Sequence, residues 1–231
     1  MSRTILVPGM VLMLAWASAG QAKEYQSSFG LTLDIPDNWL VLTKQAITEN
    51  PALANPQDAK FANINPSVLA DLKAKVEGGA IEVLFDRTTS DQSFADNMNV
   101  MVKRGHTPAE PGKVRELCDA YPDLLAKYAG RKLAIAKCES RDLGSVQALY
   151  VEYEGVVAGT VTMQYQVSRP NEKLLLLTAT CKQASLEKVR PDFEAIVKSI
   201  KLNSSVGSGL GTEEKPAGQT GGSPGGSGAT P

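Results

Sequence analysis

Apolar and polar or small residues alternate along Phe29-Gly-Leu-Thr-Leu-Asp-Ile35, the two-residue period of a strand with one buried face. Pro36-Asp37-Asn38 supplies turn chemistry, and Trp39 to Leu42 resumes an apolar strand. Thr43 is placed to cap a short helix running to about Glu49, and Pro51 stops it. Residues 50 to 64, rich in Asn, Ala and Pro, read as loop. Asn65-Pro66 joins a cap residue to proline at the first helical position, and Val68, Leu69, Leu72 and Val76 then share one helical face until Gly78-Gly79. Ile81, Val83 and Phe85 alternate in a further strand, and Met98, Val100 and Val102 in another. The loop over 105–112 holds two glycines and two prolines.

Helical spacing returns with Val114, Leu117, Tyr121, Leu124 and Tyr128. Pro122 lies inside this run, which predicts a kinked helix or two short ones, closed by Gly130. Four strands follow: Lys132 to Arg141, Val146 to Glu154, Thr160 to Ser168 and Lys173 to Lys182. Their short connections favour antiparallel neighbours, hence a meander. Leu174 to Leu177 is apolar at four successive positions, which predicts a strand covered on both faces. A last helix carries Leu186, Val189, Phe193, Ile196, Val197 and Ile200 at helical spacing, with Pro191 in its first half. The class expected is α+β, an antiparallel sheet with helices packed on its faces.

The two ends do not fit that pattern. Arg3, the apolar run Ile5 to Trp16 and the small residues around Ala17-Ser18-Ala19 and Gly20-Gln21-Ala22 read as a secretory signal over residues 1–22, cleaved after Ala22. The run is too short to span about 30 Å of hydrocarbon comfortably. The expected address is therefore periplasmic or secreted. From residue 203 to 231 more than half of the residues are Gly, Ser or Pro, and no apolar periodicity survives, so a solvated tail is expected. A single domain is left over 23–202.

Composition narrows the function classes. Lys and Arg number 24 and Asp and Glu 25, a net charge of −1, which argues against a dedicated nucleic-acid binder. His106 is the only histidine, which removes paired-histidine zinc sites. It lies in a polar Gly/Pro loop, where a solvated histidine is expected rather than a triad member. No Gly-x-Ser-x-Gly elbow accompanies it. Asp34, Asp37, Glu82 and Asp86 lie at or near strands without the spacing of a calcium loop. Glu152 and Glu154 share a strand face. They are weighed as an acid/base pair and read instead as a solvated edge or turn. No metal ligand set, cofactor or catalytic constellation is expected.

Cys118 falls on the middle helix and Cys138 on the strand after it. A helix lying back on its following strand brings such a pair within bridging range, so a Cys118–Cys138 disulfide is expected. Cys181 sits three strands away in the meander, about 14 Å, and reads as a free buried thiol. Trp39, Phe85, Tyr153 and Tyr165 fit core positions. Tyr150, Gln164 and Gln166 are placed by alternation on a sheet face away from the main core, where a groove would take a peptide or small ligand.

Phe29-Gly-Leu-Thr-Leu-Asp-Ile-Pro-Asp-Asn-Trp39 resembles the opening hairpin of PsbP/DcrB-like proteins, and Phe193-Glu-Ala-Ile-Val-Lys-Ser-Ile200 resembles their final helix. The order of elements between them also matches, over 26–201. The resemblance implies a sheet flanked by helices in a small exported domain, and relatives that are mostly accessory or binding proteins. It offers no shared catalytic motif. The function expected is a non-catalytic binding or accessory role in the cell envelope, through contact with another exported protein. Two alternatives stand beside it. One is a small-ligand carrier with its cavity between sheet and helices and a lid at Pro51 to Ala62. The other is a hydrolase with an unrecognised site, for which His106 and Glu152 are the residues to substitute.

Overall fold

The computed structural model describes residues 22–54, 66–91 and 93–203. The expected signal segment and the tail fall on 1–21 and 204–231, outside the described residues. Among the described residues ten strands and four α-helices run in chain order β1 (Ala22–Ser27), β2 (Leu31–Pro36), β3 (Trp39–Leu42), α1 (Lys44–Glu49), α2 (Pro66–Glu77), β4 (Glu82–Asp86), β5 (Asn97–Arg104), α3 (Pro111–Ala129), β6 (Ile135–Asp142), β7 (Gln147–Glu154), β8 (Thr160–Arg169), β9 (Lys173–Lys182), α4 (Leu186–Lys198) and β10 (Lys201–Leu202). The strands form a seven-stranded sheet, β3-β4-β5-β9-β8-β7-β6, and a three-stranded sheet, β1-β2-β10. Every pairing is antiparallel, and β6 to β9 form the expected meander. The chain is an α+β sandwich.

β1 has no counterpart in the sequence reading. Its residues Ala-Lys-Glu-Tyr-Gln-Ser are mostly exposed and carry no apolar alternation. It forms because β2 offers a free edge, with Lys23 opposite Ile35 and Tyr25 opposite Leu33. The main core lies between the large sheet, the small sheet and α4. Leu31, Leu33, Tyr150, Tyr165, Phe193 and Ile196 are buried there. Trp39 Nε1 and Asn38 Nδ2 both donate to Asp192 Oδ2, at 3.1 and 3.2 Å, tying the β2–β3 turn to α4.

The second face of the large sheet carries two smaller cores, one at each side. Ile47 of α1 and Val76 of α2 pack on Leu42, Val83 and Phe85 at the β3–β4 side. Val114 and Tyr121 of α3 pack on Leu149, Val151 and Tyr153 at the β6–β7 side. α3 is one helix with Pro122 inside it, opened by Pro111 in its first turn and closed by Gly130 at φ 71°. Among the described residues no helix packs over the middle strands β5, β9 and β8 on this face.

The expected cover on both faces of Leu174 to Leu177 is found at Leu175, Leu176 and Leu177, which are buried, while Leu174 is half-buried. Leu175 and Leu177 point into the main core, and Leu174 and Leu176 line a groove on the other face. The structure corrects Tyr150, which is fully buried in the main core, its ring 4.8 Å from that of Tyr165. Tyr150 pairs with Tyr165 and not with a glutamine, so it shares the face opposite Gln164 and Gln166.

Thr43 caps α1 as its position implies, its side chain accepting from Ala46 N at 3.0 Å. Thr43→Ala is expected to lower stability by about 1 kcal/mol, read from the midpoint of urea unfolding. An unchanged midpoint would show that the cap is not formed in solution.

Candidate binding groove

The middle of the second face, between these two smaller cores, holds a groove of about 730 Å³. Its floor follows from strand register, because cross-strand partners share a face. Asn97, Thr180 and Thr162 form one row across β5, β9 and β8, with Tyr153 of β7 at its end. Asn99, Thr178 and Gln164 form the next row. Met101, Leu176 and Gln166 form the third, and Lys103 pairs with Leu174 beyond it. The floor therefore changes from amide and hydroxyl groups at one end to apolar side chains at the other.

The walls come from the helices. Leu72 and Lys75 of α2 stand on one side, and Tyr121, Leu125 and Tyr128 of α3 on the other. Val156 and Val157, in the β7–β8 turn, form a lip beside Tyr128. That turn is tight. A Cβ on Gly155 would overlap Thr160 Oγ1 and lie 3.1 Å from the Thr160 carbonyl carbon, so only glycine fits. Tyr128, Val156, Val157 and Leu124, one helical turn before Tyr128, are the large apolar side chains left exposed among the described residues.

A hydrogen-bonded network holds part of the floor in place. Tyr121 OH donates to Gln164 Oε1 at 3.1 Å, and Gln166 Nε2 donates to Gln164 Oε1 at 2.7 Å and to Tyr121 OH. Gln164 Nε2 donates to Thr178 Oγ1 at 2.9 Å. Burial raises the phenol pKa values of Tyr121 and Tyr153, so both stay neutral. Asn99 is half-buried, and its amide has no hydrogen-bond partner among the described residues. The lining contains no Asp, Glu, His, Cys or Ser among the described residues. Such a surface can desolvate a ligand and hydrogen-bond to it.

Of the residues singled out in the sequence, Gln164 and Gln166 lie in this groove and Tyr150 does not. Asn97, Asn99, Thr178 and Thr180 were missed. Their signal was a second polar alternation, Asn-x-Asn and Thr-x-Thr, inside strands otherwise read from their apolar positions. Cys118 and Cys138 form a disulfide with Cα atoms 5.6 Å apart, pinning the α3 wall to β6. Cys181 is free and buried, and burial, with Asp96 nearby, raises its thiol pKa to about 12. It is inert as a nucleophile at neutral pH.

The acidic candidates are dispersed among structural roles. Glu152 is not the solvated edge expected but is buried against α4. Its oxygens accept from Arg190 at 2.7 and 2.8 Å and from Tyr150 OH at 2.7 Å. Glu154 pairs separately with Arg131 at 3.0 Å. Glu82 is buried and accepts from Ser27 Oγ and Ser28 N, at 2.5 and 2.7 Å. Asp86 is buried and accepts from Asn38, Thr88 and Thr89. Asp34 is exposed and Asp37 pairs with Lys23 at 3.2 Å. His106 is exposed in the loop after β5. Glu152 is taken up by Arg190, so the structure does not join it to His106 as a hydrolase would require. The lid expected at Pro51 to Ala62 begins as a 3-10 turn over Pro51–Ala54. Its remainder, 55–62, lies outside the described residues.

The sequence matches no family model and no curated protein. Among solved structures, the chain is similar to the cyanobacterial PsbP (CyanoP) of Synechocystis sp. PCC 6803, at 11% identity over 84% of this chain and 99% of that one, TM-score 0.47. It is similar to LpqN of Mycobacterium tuberculosis, described as involved in cell envelope biogenesis, at 13% identity over 79% and 91% of the two chains, TM-score 0.46. It is also similar to the Ran-binding protein Mog1p of Saccharomyces cerevisiae, at 9% identity over 80% and 96%, TM-score 0.43.

Proposed function

We propose that this chain is an exported binding protein that works without catalysis, and that the groove on the second face of its large sheet is where its partner docks. The observation that carries the reading is the groove's lining. Neutral amides and hydroxyls lie beside apolar side chains, and no carboxylate, imidazole or thiol is present among the described residues. Export rests on the pattern of Arg3, Ile5 to Trp16 and the small residues up to Ala22. No helix among the described residues is long and apolar enough to cross a membrane. On this reading the mature chain begins at Lys23, its folded domain ends near Leu202, and its partner is another exported or envelope protein.

The test is cross-linked capture from an envelope extract of the source organism. Wild type is compared with Asn99→Trp, which fills the middle of the floor, and Asn99→Ala, which only removes the amide. A partner captured by wild type and lost from Asn99→Trp, at an unchanged unfolding midpoint, is the expected result. Equal capture by all three overturns the reading. The intact mass of the exported protein should begin at Lys23. The groove's volume and its apolar floor at Met101, Leu174 and Leu176 also suit a small-ligand carrier. Native mass spectrometry showing a bound mass that Asn99→Trp removes would favour that alternative.

A further inference from the structure

Resting on the groove as the docking site, we propose that its occupant is an extended, acidic peptide segment of the partner protein. Charge is the first argument. The chain as a whole is balanced, with 24 basic and 25 acidic residues, yet the groove's charged lining is Lys75 and Lys103 with no carboxylate. Neither lysine is ion-paired among the described residues. A cationic lining with no internal counter-charge selects a negative ligand and repels a basic one.

Shape is the second argument. The floor spans β5, β9 and β8, two strand spacings or about 10 Å. A single extended chain fits. From Leu174 to Thr180 the floor runs roughly 20 Å, the length of about six extended residues. Midway lies the unpartnered amide of Asn99, which presents a donor and an acceptor together, the complement of one peptide unit.

The charge of Lys103 at one end and the exposed apolar lip at the other set the direction. Lys103 pairs with Leu174 at one end, and the exposed Tyr128, Val156 and Val157 form the lip at the other. The segment carries its acidic residue toward Lys103 and an apolar or aromatic residue at the lip. A tenfold change in affinity corresponds to about 1.4 kcal/mol, within reach of two lysines facing a carboxylate.

A random peptide library displayed on phage, selected on the full chain with Asn99→Trp as counter-selection, tests this directly. Enriched sequences are expected to hold Asp and Glu in excess over Lys and Arg, with an apolar residue a few positions away. A synthetic peptide of the consensus should lose about tenfold or more in affinity on Lys75→Glu/Lys103→Glu. It should lose little on Lys188→Glu, which reverses a charge on the exposed side of α4. Enrichment without acidic bias, or no groove-dependent enrichment, overturns the peptide class. Sodium dodecanoate binding in place of peptides overturns it in favour of an amphiphile. If partner capture still depends on Asn99 in those cases, the groove reading survives and only its occupant is wrong. If capture never depends on Asn99, the functional reading itself fails.

Discussion

Replacing Glu152 by alanine is expected to lower the unfolding free energy by about 3–5 kcal/mol, the range for removing one partner of a buried ion pair. Glu152 lies on β7 beneath α4, and the Arg190 guanidinium meets both of its oxygens, at 2.7 and 2.8 Å. Tyr150 OH donates to the same carboxylate. Removing the carboxylate leaves the buried Tyr150 hydroxyl without an acceptor and the half-buried guanidinium with only that hydroxyl to donate to, at 3.1 Å, and the desolvation makes the loss large. Glu152→Ala/Arg190→Met should recover much of it, since a paired apolar replacement removes both charges. Urea unfolding of the three variants checks this. A single variant within about 1 kcal/mol of wild type would mean that the pair is solvated in solution.

The same pair predicts a pH dependence of definite sign. The Arg190 hydrogen bonds outweigh the cost of burial and hold the Glu152 carboxyl down at about 2, below its ordinary 4.5. A depressed carboxyl stabilises the fold above its unfolded pKa, and that contribution disappears as pH falls from about 5 toward about 2. Glu152→Gln removes it. The difference in stability between wild type and Glu152→Gln should therefore shrink across that window. A difference independent of pH would show that Glu152 acts through packing alone.

Cys118→Ser/Cys138→Ser is expected to cost about 3 kcal/mol in the chain-entropy account, for a bridge that closes a 20-residue separation. The consequence extends beyond stability. α3 forms one wall of the groove, and the disulfide joins it to the edge strand β6. Without the bridge, α3 is kept in place by Val114, Tyr121 and their apolar neighbours, and by the Tyr121 contacts to Gln164 and Gln166. Amide exchange in the double-serine variant should rise first over Pro111–Ala129, while β8 and β9 stay protected. A uniform rise over the whole chain, or a midpoint shifted by less than about 1 kcal/mol, would refute a local role for the bridge.

Much of the fold was legible in the chain because it was written in periodicities. Leu186, Val189, Phe193, Ile196 and Val197 recur at helical spacing, and all five are buried in α4. Thr43, Pro66, Gly78 and Gly130 mark helix ends with their own local chemistry. The meander followed from short turns between alternating runs. The disulfide was legible for a related reason: α3 and β6 are adjacent in sequence, and a helix packed on its next strand leaves the two cysteines few other places to be.

The groove was legible only in part. Alternation gives two faces to a strand but does not say which neighbour lies beyond each. Tyr150 and Gln164 show the limit. Both lie in strands that are buried nearly throughout, so the phase between β7 and β8 is invisible without their register. Glu152 shows another. Nothing near it in sequence announces Arg190, which arrives from a helix 38 residues later. β1 shows a third, since an exposed strand owes its existence to the free edge of β2 and not to its own residues.

The sequence by itself determined the helices, eight of the ten described strands, their order and the Cys118–Cys138 pairing, because these depend on contacts between near neighbours and on propensities carried by single residues. Tertiary structure alone decided that α2 and α3 pack at opposite sides of the sheet and leave a groove over β5, β9 and β8. It alone decided that Asn97, Asn99, Gln164, Thr178 and Thr180 meet on one floor. Those residues come from strands as far as 83 positions apart, as with Asn97 and Thr180. Only the register of long-range hydrogen bonds, fixed by which face of every strand must be buried, brings them together.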